Sequence, residues 1–357
     1  MLVCYAQELK GDFFPYVPSV LEKLIIPGLK FYFHDGVRSA SAKCLPALVE
    51  SAKLANPHDL SIPNSIFRTV IDALLLRIEE EGSPEICSEF YEAFYETIDI
   101  AGDNCLSAQD MNKFIEVTAS QLRDYGTRKT QRDEQVASGD RDIEEDEDVQ
   151  EAIDADEVLL SAISKSIHNI FKRHKFSFLP IWAKMTPYVE AGLASSEANT
   201  RSWSICIIDD VIEYCGGDAL PFIGAYLQPI VRNVTDDCIL DSYPILILAP
   251  EIRQAAAYGV GVAAHKGGPQ FAQFCAMALQ PLFQCIARPD AREEDHVYAT
   301  ENACAAIAKI IHFNASQIPN IEGVISSWLD TLPIVNDEEE APHAYNILMD
   351  LVERYVV

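Results

Sequence analysis

One feature constrains this chain more than any other: a pair of helices that recurs along its whole length. Apolar residues return at spacings of three and four, the stripe of a helix that buries one face. Tyr16–Leu29 reads as one helix. After the His34-Asp35-Gly36 turn, Val37–Leu54 reads as a second, closed by Asn56-Pro57 because proline disfavours helix in the residue before it. The couplet then repeats as Pro63–Glu81 with Pro84–Ala101, Ala108–Arg132 with Glu151–Lys172, and Phe178–Leu193 with Glu197–Tyr214. Ala219–Val234 with Pro250–His265, Pro269–Ala287 with Val297–Phe313, and Pro319–Leu332 with Glu340–Tyr355 complete it. A period of about 40 to 50 residues is that of HEAT or armadillo arrays and too long for tetratricopeptide or ankyrin units. The expected fold is all-α: a superhelical HEAT-repeat solenoid of about seven antiparallel helix pairs, one unit over residues 1–357.

Two stretches interrupt the pattern. Residues 133–157 carry Asp140, Asp142, Glu144, Glu145, Asp146, Glu147, Asp148, Glu151, Asp154, Asp156 and Glu157. A run of like charge repels itself and stays solvated, which predicts an acidic flexible insertion within the third repeat and a contact for a basic partner. Residues 238–249 hold the one β-like run, Ile245 to Leu248, and read as a longer apolar connection in the fifth repeat.

The formal charge of −28 excludes nucleic acid as a direct partner, since phosphates need Lys and Arg to neutralise them. It favours basic partners instead. The 10 cysteines form no C-x-x-C pair and fall in apolar helical patterns, which reads as reduced core thiol. No apolar run approaches the roughly 20 residues a membrane helix needs. The histidines show no H-E-x-x-H spacing, no G-x-S-x-G elbow is present, and position six of a calcium loop starting at Asp140 is Glu145 rather than glycine. No catalytic residue, metal or cofactor is expected.

Gly259-Val260-Gly261-Val262-Ala263-Ala264 matches the dinucleotide fingerprint. That motif needs a preceding strand and a turn at its first glycine. Here the glycines fall inside a predicted helix, so they read as close helix–helix packing. Asp35 and Arg38, and again Glu251 and Arg253, put an acid at a helix start and an Arg just after it, where acid and Arg can pair between stacked repeats. Trp203, Asp210 and Glu213 share a helical face at spacings of seven and three. An exposed Trp beside acids would anchor a peptide. The alternative is a core Trp with ordinary surface acids.

Several segments resemble the karyopherin-β (importin-β superfamily) nuclear transport receptors, most closely the importin-beta-three branch. They are Met1-Leu2-Val3-Cys4-Tyr5-Ala6, Leu29 to Arg38, Cys206 to Glu213, Pro250 to Gly261, and Ala299-Thr300-Glu301-Asn302. The resemblance implies the C-terminal part of a longer receptor that shuttles between cytoplasm and nucleus. It implies cargo signals rich in Lys and Arg on an inner face lined by second helices, with Trp203, Asp210, Glu213 and Glu301 as candidate contacts. It implies Phe-Gly nucleoporins in apolar grooves between first helices, and Ran GTPase binding chiefly outside this chain. The apolar connection at 238–249 is longer than in relatives. A rival class is a HEAT scaffold subunit of a phosphatase-type complex, which would co-purify stably with one catalytic subunit.

Overall fold

The computed structural model describes residues 1–138, 143–235 and 249–355. Among them there is no strand, and helices follow one another throughout. The chain divides into two compact units, Met1–Met185 and Thr186–Val357.

The first unit contains α1 (Leu2–Leu9), a stretch Lys10–Leu29 built from short 3-10, α and π segments, α2 (Asp35–Ala42), α3 (Leu45–Ala55), α4 (Ser61–Glu80), α5 (Pro84–Ala101), α6 (Ala108–Ser138) and α7 (Ile143–His174). Their ends follow local chemistry. Ser83 caps α5 by accepting the Ile86 N–H at 3.3 Å, proline sits in its first turn, and Gly102 stops it at φ 96°. The second helices α3, α5 and α7 pack side by side, α1 lies on α3, and α4 packs on both α5 and α6. The core between them is aromatic. Phe94 stacks on Phe114 at 5.0 Å, Tyr91 donates to Thr118 at 3.0 Å, and Trp182 lies 5.8 Å from Phe171. Each such ring contributes about 1.5–3 kcal/mol by leaving water.

The expected insertion at 133–157 is mostly helix. α6 runs on to Ser138 and α7 begins at Ile143, and residues 139–142 between them lie outside the described residues. Glu, Gln, Ala and Arg are good helix formers, and pairs such as Lys129–Asp133 at 2.9 Å support the turns. Asp156 is not solvated either. It is 2% exposed and is held by Arg128 and Arg132 of α6.

The second unit contains α8 (Thr186–Leu193), α9 (Ala198–Cys215), α10 (Leu227–Asn233), α11 (Ala249–Lys266), α12 (Ala272–Ile286), α13 (Val297–Asn314), α14 (Ile321–Leu329) and α15 (Ala341–Tyr355). Here α9, α11, α13 and α15 pack in succession, with α8 on α9, α10 on α11, α12 on α13 and α14 on α13. The fingerprint-like glycines lie inside α11, as their packing role requires. Gly261 faces Ala306 of α13, and Gly259 faces Asp209 of α9. A Cβ at Gly259 would overlap Asp209 Oδ1. The connection at 238–248, with Cys238 and the Ile245 to Leu248 run, lies outside the described residues. The sequons at Asn233 and Asn314 are buried, and Asn233 is spent on the Pro229 carbonyl at 2.8 Å.

Candidate partner-binding faces

Of the four residues read as repeat-stacking, Arg38 and Arg253 reach into the neighbouring repeat, each with a different partner. Arg38 lies 2.7 Å from Asp35 and reaches Glu81 at 2.9 Å, beyond the end of α4. It also donates to the Tyr32 carbonyl at 3.1 Å, which fixes the loop that displays Tyr32 and Phe33 to solvent. Arg253 is 1% exposed, and its guanidinium meets His296 Nδ1 at 2.8 Å, just before α13. Glu251 is exposed at the helix start, so acid and Arg do not form one repeated pair.

Two of the candidate cargo contacts are structural. Trp203 is buried, with only 7% of its surface exposed, and presents no anchor to a peptide. The reason is position: α9 is enclosed by α8 on one side and α11 on the other, so almost its whole circumference is core. Glu301 is 1% exposed and accepts the backbone N–H groups of Val335, Asn336 and Asp337 at 3.0, 2.7 and 2.8 Å. Burial pushes its carboxyl up, but these donors and the Asn336 side chain outweigh it and hold it below the usual range. Asp210 is nearly buried and Glu213 half-buried, and Glu213 meets the Tyr258 hydroxyl at 3.5 Å.

The acidic segment divides in the same way. Asp140 and Asp142 lie outside the described residues, and Glu144 and Glu145 fall on the first turn of α7. Asp146, Glu147 and Asp148 are exposed on α7.

Two grooves went unread in the sequence. The first is apolar and sits between the Lys10–Leu29 stretch and α4. It measures about 360 Å³ and is lined by Pro18, Leu21, Glu22, Ile26, Ser65, Ile66 and Thr69. The second, about 390 Å³, opens on the second helices, between Gln7 of α1, Glu50 of α3, Tyr95, Glu96 and Asp99 of α5, and Lys172 of α7. Burial and then Glu92 push the Glu96 carboxyl up, so this groove already crowds negative charge. Spacing alone could not find either groove, because each needs residues from neighbouring repeats.

Among the described residues no three His, Cys, Asp or Glu side chains are grouped to hold a metal, and no helix is long and apolar enough to cross a membrane. The helices are those of a HEAT-repeat protein, and in the first unit one groove between first helices is largely apolar while another, on second helices, carries Glu50, Glu96 and Asp99. The importin repeat 6 family model matches residues 86–195. Importin subunit beta-3 of Saccharomyces cerevisiae is 30% identical over 353 residues, 99% of this chain and 31% of that protein. The structure of the karyopherin Kap121p bound to the SUMO protease Ulp1p aligns with TM-score 0.82 at 28% identity, over 99% of this chain and 31% of that one. Kap121p bound to RanGTP aligns with TM-score 0.81 at 27% identity, over 99% and 30%. The chain belongs to the importin-β family of karyopherins and spans about a third of the length of the relatives it matches.

Proposed function

We propose that this chain is the part of a nuclear import receptor that docks Phe-Gly nucleoporins on its first-helix side and basic cargo on its second-helix side. The observation that carries this is the apolar groove of Pro18, Leu21, Ile26 and Ile66 between neighbouring first helices. Its walls are largely aliphatic and its polar residues are Glu22, Ser65 and Thr69, all exposed, which suits one phenyl ring with flexible glycine on either side. Cargo rich in Lys and Arg suits the other groove, where an arriving cation would offset Glu50 and Glu96, Asp99 being already paired with Arg173 and Lys172. The complexes of the related Kap121p with RanGTP and with a SUMO protease support the reading. The principal Ran contact is assigned to the part of the relatives that this chain does not span. A receptor of this kind shuttles between cytoplasm and nucleus.

Filling the apolar groove tests the nucleoporin limb. Ser65 is exposed on the groove rim, so Ser65→Trp leaves the core intact. Titration with a labelled Phe-Gly repeat peptide should show about tenfold weaker binding, the effect of losing one buried contact worth about 1.4 kcal/mol. Unchanged affinity would remove this groove from the docking surface.

The exposed acids of α7 are assigned to long-range steering of basic cargo. Neutralising Asp146, Glu147 and Asp148 to their amides should weaken a Lys-rich peptide about two- to five-fold at low salt and flatten its salt dependence. An unaltered salt slope would take this segment out of the cargo path.

A further inference from the structure

Among the described residues of the second unit, Asp209 is the one carboxylate whose two oxygens are both buried and both without a hydrogen-bond donor. The side chain is 3% exposed. Its carboxyl occupies the space where Gly259 has no side chain. The fold therefore makes room for this group and supplies it with nothing. Structural acids nearby are treated differently: Glu301 takes three backbone N–H groups, and Glu340 takes Lys309 at 2.6 Å.

The surroundings are acidic and reachable from solvent. Asp210 adjoins it, and Glu213 lies one turn further along α9 and is half-buried, close to the Tyr258 hydroxyl of α11. Cys206, one turn earlier, is exposed. Even so, burial and then Asp209 and Asp210 push its thiol up to about 12, as expected on a face that is open but walled by protein. Lys309 of α13 stands 5.8 Å from the centre of the Tyr258 ring and is already committed to Glu340.

We propose that Asp209, Asp210 and Glu213, with Tyr258 beside them, form a receptor site for one lysine or arginine side chain of a basic peptide. The site rests on the cargo reading above and gives it a location in the second unit. An ammonium or guanidinium entering past Cys206 meets Glu213 and Asp210 first and then the unserved carboxyl of Asp209.

Binding should move a proton. Burial, then Asp210 and Glu213, push the Asp209 carboxyl well above the usual range, which favours its protonated form. The groups that act on it are Asp210 and Glu213 of its own helix and, from α11, Tyr258, with Lys309 and Glu340 behind that ring. A bound cation favours the ionised form. The Asp209 O–H bond then breaks and the proton passes to buffer.

The test uses the full 357-residue chain and a fluorescein-labelled peptide of alternating lysine and glycine, with alternating arginine–glycine and glutamine–glycine peptides as comparisons. Asp209→Asn and Glu213→Gln should each weaken the cationic peptides about tenfold or more. Calorimetry in buffers of different ionisation enthalpy should show proton release on binding to the wild type and none with Asp209→Asn. The thermal midpoint of Asp209→Asn should not fall, because the amide fills the same space and brings no charge to bury. If wild type binds the cationic peptides and both variants bind them equally well, this site is wrong and the cargo reading stands. If wild type binds neither cationic peptide, both fall. A lowered midpoint together with equal losses for all three peptides would make Asp209 a structural residue and overturn the site.

Discussion

Glu301→Ala should lower the stability of the second unit by about 3–5 kcal/mol, the usual consequence of removing one side of a buried charge network. In the thermal midpoint of a unit this size, that is a drop of about 6–20 °C. The carboxylate ties α13 to the connection that leads into α15. It accepts three consecutive backbone N–H groups and the Asn336 amide at 3.0 Å, and the connection has no other regular structure. Asn302 and Lys309 of the same helix hold Asp337 and Glu340, so the connection is fastened at three points along α13. Glu301→Gln keeps one acceptor oxygen and should lose less. The pH dependence follows from the depressed carboxyl. Its contribution is fully present above the unfolded value of about 4.3 and is lost as pH falls through the lower folded value. The stability gap between wild type and Glu301→Gln should therefore be constant near neutrality and close below about pH 4. A loss under about 1 kcal/mol on Glu301→Ala would mean that water replaces the carboxylate, since a net hydrogen bond is worth about that much.

Asp156→Ala should cost about 2–3 kcal/mol, and the loss should be local. Asp156 takes Arg128 Nε at 2.9 Å and Nη2 at 2.6 Å on one oxygen and Arg132 on the other. Both arginines retain some access to water, so the charge left behind is partly rehydrated, which keeps the loss below that of a sealed network. Few other contacts join the far end of α6 to the start of α7. Hydrogen exchange should therefore quicken at residues 123–138 and 146–156 while the aromatic core around Phe94 and Phe114 keeps its protection. Raising salt should leave the wild-type pairing intact, because buried pairs are screened far less than exposed ones. Uniform loss of protection across the first unit would show that this contact supports the whole stack.

The helical couplets were legible because three-and-four spacing survives in every repeat, and the glycines of α11 were legible because a helix cannot supply the strand their fingerprint needs. Side-chain roles were harder to read. On α9 the spacing of Trp203, Asp210 and Glu213 does define one face, but a helix flanked by neighbours has little surface to spare, and Trp203 turns inward. Glu301 looks like any surface acid in a helical stripe. Its partners come from residues 335–337, more than thirty positions away, and no local pattern announces them. Asp209 and Asp210 are adjacent in sequence, yet only the approach of Gly259 marks Asp209 as the one set into the seam. Charge density misled at 133–157, because it counts acids without asking which of them an arginine will take out of water.

At the glycines of α11, a position occupied by the smallest residue can change in one direction only, towards greater bulk. At Gly259 the first added carbon would strike Asp209, and at Gly261 it would arrive 3.4 Å from the Ala306 backbone. Ala256, Ala257, Ala303 and Ala306, buried on the same two helices, are themselves near the lower limit of size. Enlargement at Gly259 therefore requires a matching change at Asp209 on the facing helix, whereas a methyl at Gly261 would come to rest at the edge of ordinary contact.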